Sequence, residues 1–293
     1  MNAEVASDVR AELGEGPSWD EEKGILYWVD IKEGIVYAHD LGNSSDKIVG
    51  RGKNVSCVVP RSNGGLALTL EHGFYSLDPN SGMMDAISES IEANLPGSRF
   101  NDGKCDPAER FWAGTMDETE SKPIGSLYVF AKGKGVKKVL SGITVSNGLG
   151  WSPDNKTMYY IDSPTRKVAA FDYSLQTGEI SNKRIAINFD ETQQPGVPDG
   201  MTVDAEGMVW VAHWGGARLT RWNPSTGKLL DTLPIPADHT TSCCFAGRNL
   251  DQLYITSARV ELDEKKLAAQ PLAGRLFVAD VGVRGLPTYK FGG

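Results

Sequence analysis

Short apolar runs, rarely longer than five residues, recur along the whole chain, and clusters of Gly, Pro, Asn and Asp break each one. Runs of this length, rich in β-branched and aromatic residues, read as strands, and only residues 262–269 carry the pattern of a short helix. Strand-like cores stand at Leu26, Leu66, Phe111, Met158, Val209 and Leu253, at intervals of 40, 45, 47, 51 and 44 residues. A period of that size holds about four short strands with their turns, which is what one β-propeller blade requires. The pattern predicts an all-β chain folded as a six-bladed β-propeller, with residues 1–293 as a single domain. In the fourth repeat the expected strands are 146–151, 158–162 and 167–173; in the fifth, 209–212 and 219–222 follow a turn at 204–207. Alternation at Val9, Ala11 and Leu13 predicts an N-terminal strand paired into the last blade, closing the ring so that no long edge stays open.

Four polar signatures share a register within this repeat. Glu15-Gly16-Pro17, Arg99-Phe100-Asn101-Asp102-Gly103, Ser146-Asn147-Gly148 and Pro198-Asp199-Gly200 each place their polar residue ten or eleven positions before the next strand core. Asn-Gly and Asp-Gly pairs are ordinarily turn formers, because both residues tolerate positive φ. Here the hairpin turns are separately supplied by Asp106-Pro107, Pro153-Asp154 and Asp204-Ala205, so the signatures stand at the head of the innermost strands. Around an axis, equal register means equal radius. Glu15, Asn147 and Asp199 then converge as an all-oxygen set of charge near −2, suited to one hard divalent cation with coordination positions left open.

Composition narrows the partners. A net charge of −8 and a pI near 5.1 argue against nucleic acid. No run approaches the eighteen or so apolar residues a membrane span needs. The segment from Met1 to Leu13 carries Glu4, Asp8 and Glu12 and has neither the basic nor the apolar part of a secretory leader, so a cytoplasmic location is expected. Cys57, Cys105, Cys243 and Cys244 lack zinc spacing and read as buried core thiols. His213 is open to two readings, a pocket wall or a structural histidine at a strand end. No partner protein is inferable.

Several motifs in fixed order carry a family resemblance: Leu13-Gly-Glu-Gly-Pro-Ser-Trp-Asp20, Arg99 through Pro107, Gly114-Thr-Met116, Ser146-Asn-Gly-Leu149, Tyr160-Ile-Asp-Ser163, Val197 through Gly207 and Thr240 through Phe245. From about Leu13 to Leu286 the chain resembles the regucalcin (senescence marker protein), gluconolactonase and luciferin-regenerating enzyme family, and Ala212-His-Trp-Gly-Gly216 is more similar to the bacterial sugar lactonases. The resemblance implies a six-bladed propeller that binds one divalent metal (Ca, Zn, Mn, Mg or Fe) and hydrolyses sugar aldono-1,4- or 1,5-lactones. It implies Glu15, Asn147 and Asp199 as metal ligands, with Asp199 also the general base for the attacking water. Arg99 and Asn101 match positions that hold the sugar. A further substrate carboxylate is expected just beyond Gly114-Thr-Met116, where counting reaches Thr119 between Glu118 and Glu120; Glu118 is taken as that residue. The alternatives are a metal-dependent phosphotriesterase or arylesterase on the same scaffold, and a calcium-binding protein with little turnover. The chain lacks Gly-x-Ser-x-Gly, in keeping with hydrolysis that needs no serine nucleophile.

Overall fold

The computed structural model describes residues 2–293. Six four-stranded antiparallel sheets make the blades of a propeller. Their inner strands are Gly14–Asp20, Cys57–Pro60, Ser98–Cys105, Ser146–Trp151, Val197–Val203 and His239–Ala246. Each inner strand touches those of both neighbouring blades, and the sixth touches the first. The fourth-blade strands fall at Ser146–Trp151, Thr157–Asp162 and Lys167–Tyr173, as the apolar pattern predicts.

Period-two alternation explains the packing. On Ile25–Asp30, Tyr27 and Val29 enter a cluster shared with the second blade, whereas Leu26 and Trp28 enter one shared with the sixth. On Val209–Trp214, Val209 and Val211 face the fourth blade, Trp210 and Ala212 the sixth. These two second strands are thus apolar on both faces, and an apolar cluster fills every gap between blades. Trp28, Trp112 and Trp210 are fully buried there, where truncation of a large side chain costs ~3–5 kcal/mol.

Ring closure differs in detail from the alternation at residues 9–13. The strand that completes the sixth blade is Glu4–Val5, paired with Phe277–Asp280 as its outermost member. Ala11 and Leu13 alternate because they are buried on opposite sides of the first blade, Ala11 toward the sixth and Leu13 toward the second. The helix expected at 262–269 is Glu264–Ala269, and Asp263 caps it by accepting from the Lys266 N–H at 2.8 Å.

Five inner strands carry a bulge, between Glu15 and Ser18, Phe100 and Gly103, Asn147 and Leu149, Pro198 and Met201, and Thr240 and Ser242. The polar signatures therefore lie within the inner strands, not ahead of them. A bulge adds one residue on one side of a ladder and re-aims the neighbouring side chains. Glycine permits the close approach that results: a Cβ on Gly148 would lie 2.8 Å from the Asp199 carbonyl oxygen, and one on Gly200 would collide with Ser242.

Candidate functional site

Four residues before the inner-strand partner of each blade's strand core, one residue per blade stands on the inner wall: Glu15, Ser56, Asn101, Asn147, Asp199 and Thr241. All are buried. Ser56 and Thr241 satisfy themselves within the wall, Ser56 on the Thr69 hydroxyl at 2.7 Å and Thr241 by donating to the Gly14 carbonyl at 2.6 Å. The other four open into a cavity of about 70 Å³ together with Leu13, Arg99, Met116, Glu120, Val145, Ser163, Val197 and Trp214. The structure thus brings together Glu15, Asn147, Asp199, Arg99 and Asn101.

Local clamps fix the strands that deliver these side chains. Asp30 accepts from the Glu12 and Leu13 N–H groups at 2.7 and 3.1 Å, just ahead of Glu15. Asp162 accepts from Val145 N–H at 2.9 Å, just ahead of Asn147. In the fifth blade the matching position is His213. Its Nδ1 donates to the Pro195 carbonyl at 2.9 Å and its Nε2 accepts from the Thr220 hydroxyl at 2.6 Å. Burial holds the imidazole neutral, its pKa down at about 4. His213 is a structural clamp behind the wall and does not line the cavity. Arg166 secures the same approach to Asp199, donating to the Gly196 and Gln194 carbonyls at 2.6 and 3.0 Å.

Asn147 is oriented by its neighbours. Its Nδ2 donates to Ser163 Oγ at 2.9 Å, and its Oδ1 accepts from Asn101 Nδ2 at 3.1 Å. Asn101 in turn accepts from Arg99 Nη1 at 3.0 Å. Arg99 also donates from Nη1 to the Phe100 carbonyl; among the described residues no protein acceptor meets its Nε or Nη2.

The two carboxylates have almost no partners. Glu15 accepts from the Gly16 N–H at 2.8 Å, and the Gly200 N–H is the one donor acting on Asp199. Burial, and then the negative charge of Asp102, push Glu15 up to about 8. Burial followed by Glu15 and Asp102 pushes Asp199 well above the carboxylate range. Among the described residues no cluster of three or more His, Cys, Asp or Glu side chains gathers as a metal site, because the third oxygen here belongs to an amide. Two carboxylates with a single backbone donor each and one pre-oriented amide oxygen make a donor set that suits a hard divalent cation.

The loop beyond Met116 differs from the expectation. Glu118 is exposed and its N–H donates to the Gly97 carbonyl at 2.7 Å; it does not line the cavity, whereas Glu120 does. The Asp117 carboxylate gathers Thr119, Ser121 and Lys122 into a tight turn, and Glu120 within it adopts φ +55, which reverses the chain. Counting along an extended strand cannot anticipate that turn.

Asp102 and Lys104 lie outside the site expected from sequence. They line a second cavity of about 60 Å³, beyond the Glu15 layer and bordered by Leu286–Tyr289 of the C-terminal segment. Lys104 donates to the Met201 carbonyl at 2.6 Å, and burial raises the Asp102 pKa against that nearby ammonium. The signal was present: in the Asn101-Asp102-Gly103 signature a carboxylate holds the place that is Gly16, Gly148 and Gly200 in three other blades. All four cysteines are free and buried. No helix among the described residues is long and apolar enough to cross a membrane.

Comparison with known proteins agrees with this architecture. The profile of the SMP-30/gluconolactonase/LRE-like region matches residues 13–259. Regucalcin of Gallus gallus is 40% identical over 296 residues, covering 99% of this chain and 97% of that one. A Bacillus subtilis protein provisionally named sugar lactone lactonase YvrE is 37% identical, covering 100% of this chain and 99% of that one. Whole-chain identity does not separate the two groups. A solved structure described as a calcium-binding protein, regucalcin, from Agrobacterium tumefaciens superposes with a TM-score of 0.93 at 28% identity, covering 99% of this chain and 97% of that one.

Proposed function

The chain belongs to the SMP-30/gluconolactonase/LRE-like family, and on that premise we propose that it opens sugar aldonolactones by divalent-cation-dependent hydrolysis at the Glu15–Asn147–Asp199 site. One observation carries the reading: two buried carboxylates that no salt bridge pairs share a cavity with an arginine whose Nε and Nη2 meet no protein acceptor, and the charges of Arg99 and Lys104 do not offset the burial of Glu15. Unpaired buried charge is costly, so its presence points to a bound partner of opposite sign.

Glu15, Asn147 and Asp199 would hold the cation. When bound, a divalent cation supplies polarisation of the lactone carbonyl and of water, and a charge that returns both carboxyl groups to their ionised form. Asp199 accepts the proton of the attacking water at a carboxylate oxygen. Arg99 and Asn101 bind ring and hydroxyl oxygens, and Glu120 at the rim accepts from a further hydroxyl. Leu13, Val145 and Val197 keep bulk water from the reacting carbonyl. The relatives' names, a sugar lactone lactonase and a calcium-binding protein, support the same pairing of substrate and cation. The polar lining favours a polyhydroxylated substrate over the aryl and phosphate triesters that a greasy pocket would take.

The test is acid release from a panel of glucono-, galactono-, xylono- and arabinonolactones, with chelated protein resupplied by single divalent cations. Cation-restored hydrolysis of one or more lactones is expected. Tight cation binding with no turnover on any of them would favour a binding protein, and full activity after exhaustive chelation would overturn the metal site.

A further inference from the structure

Two residues before each wall position lies a second ring on the inner face, comprising Leu13, Arg99, Val145, Val197 and His239 in five of the blades. Four of these line the upper cavity; His239 does not. The reason is Trp214, which lines the cavity itself and lies flat on the His239 ring, with centroids 4.0 Å apart and planes 11° from parallel. Trp214 projects from the fifth blade at the place held in the fourth by Ser163, another lining residue. His239 stands in the sixth blade at the position that Arg99 holds in the third, so His239 and Arg99 belong to blades on opposite sides of the axis. One face of the indole is covered by imidazole, the side chain also packs on the apolar cluster around Leu13, and what it leaves open lines the cavity that Arg99 and Asn101 line.

We infer that Trp214, braced by His239, is the stacking platform for the C–H face of the sugar ring and sets the preference for cyclic polyols. This rests on the sugar-lactone reading above. The ring hydrogens of a pyranose or furanose carry partial positive charge, and the face of an indole is electron-rich, so the two attract while apolar area is removed from water. Specificity then has two sides. Hydroxyls meet Arg99, Asn101 and Glu120, and the hydroxyl-poor face of the ring meets Trp214. The brace matters because an indole already held against imidazole loses little freedom when the sugar arrives.

The experiment uses two substitutions and two readouts. Trp214→Leu removes the π face but keeps an apolar side chain; Trp214→Phe keeps a smaller face. In steady-state hydrolysis of the best lactone, Trp214→Leu should raise KM about tenfold with kcat within about twofold of wild type, and Trp214→Phe should recover most of that loss. In calorimetry with D-glucono-1,5-lactam, a ring analogue that is not turned over, Trp214→Leu should weaken binding about tenfold and Trp214→Phe about threefold. Lactam binding unchanged in Trp214→Leu, a loss that Phe does not restore, or no binding of the lactam to wild-type protein each overturns the platform. Lactam binding that depends on Trp214 in a protein that hydrolyses no lactone upholds the platform and overturns only the hydrolase reading.

Discussion

Asp106 and Asp204, at the hairpin turns of the third and fifth blades, are 0% exposed; Glu15 and Asp199, at the axial mouth, are 6% and 5% exposed. Burial is nearly the same, and the surroundings are opposite. Asp106 accepts from the Ala108 and Arg110 N–H groups, from Arg110 Nε at 2.6 Å, from Trp112 Nε1 at 2.8 Å and from the Tyr173 hydroxyl at 2.8 Å. Asp204 accepts from the Glu206 and Met208 N–H groups, Trp210 Nε1 at 3.0 Å and Arg221 Nε at 2.8 Å. Every lone pair at the turns is used and each charge is matched. At the mouth two acidic groups sit together with one backbone donor each, and neither forms a salt bridge with the nearby Arg99. The turns spend their carboxylates on the fold, whereas the mouth keeps its carboxylates for something that arrives from outside.

Substitutions should separate the two regions, first and most strongly through turnover. Asp199→Asn preserves shape and one neutral oxygen but removes the basic site, so kcat at cation saturation should fall by roughly 10²–10⁴. Near wild-type kcat once calorimetry shows the site filled would make Asp199 a ligand only.

At the turns the expected loss lies in stability. Asp106→Asn leaves the buried Arg110 guanidinium without its counter-charge, and breaking such a pair costs about 3–5 kcal/mol. Urea unfolding should register this as a lower midpoint, with kcat per folded molecule within about twofold of wild type. A midpoint unchanged by Asp106→Asn would mean that the turn network is dispensable.

Acidity distinguishes the regions next. A carboxyl with a raised folded pKa keeps its proton where the unfolded chain has lost it, so its cost is absent below the ordinary glutamate value of 4.5 and grows as pH rises toward about 8. His213, neutral in the fold with its pKa lowered from 6.5 to about 4, acts the other way, its stabilisation being lost as pH falls below 6.5. Between pH 6.5 and 8 the mouth carboxyls dominate, and chelated protein should lose on the order of a few kcal/mol across that window. Glu15→Gln should flatten the slope, as should a saturating divalent cation. A slope unaltered by either would place its origin outside the mouth.

The smallest effect is at Ser163, whose hydroxyl accepts from Asn147 Nδ2 at 2.9 Å. Ser163→Ala removes about 1 kcal/mol of orientation, and cation affinity measured by calorimetry should fall a few-fold. An affinity unchanged by Ser163→Ala would show that Asn101 alone holds the amide.

The blade count and the convergence of Glu15, Asn147 and Asp199 were legible in sequence because both depend on spacing. An apolar core every 40 to 51 residues and a polar-Gly pair at constant offset are visible without coordinates. Ser56, their second-blade equivalent, was not visible, since Cys57–Pro60 has no Gly-bearing bulge to mark it. Glu120 was missed in favour of Glu118 because a positive-φ turn, not strand geometry, decides which side chain returns to the cavity. The turn carboxylates left a readable trace: six residues separate Asp106 from Trp112 and Asp204 from Trp210, and both Asp–Trp pairs are hydrogen-bonded. The Trp214–His239 stack joins two blades 25 residues apart in the chain, and no local pattern encodes it.

The central claim is that the mouth holds charge the fold itself does not need. It is tested most directly by the urea midpoint of chelated Asp199→Asn at pH 8 beside that of chelated wild type, each repeated with a saturating divalent cation. Relief of an uncompensated buried charge should raise the midpoint of the chelated variant, and the cation should then stabilise it far less than it stabilises wild type. A chelated variant that falls instead by the ~3–5 kcal/mol expected at the turns would make Asp199 a structural carboxylate and contradict the account.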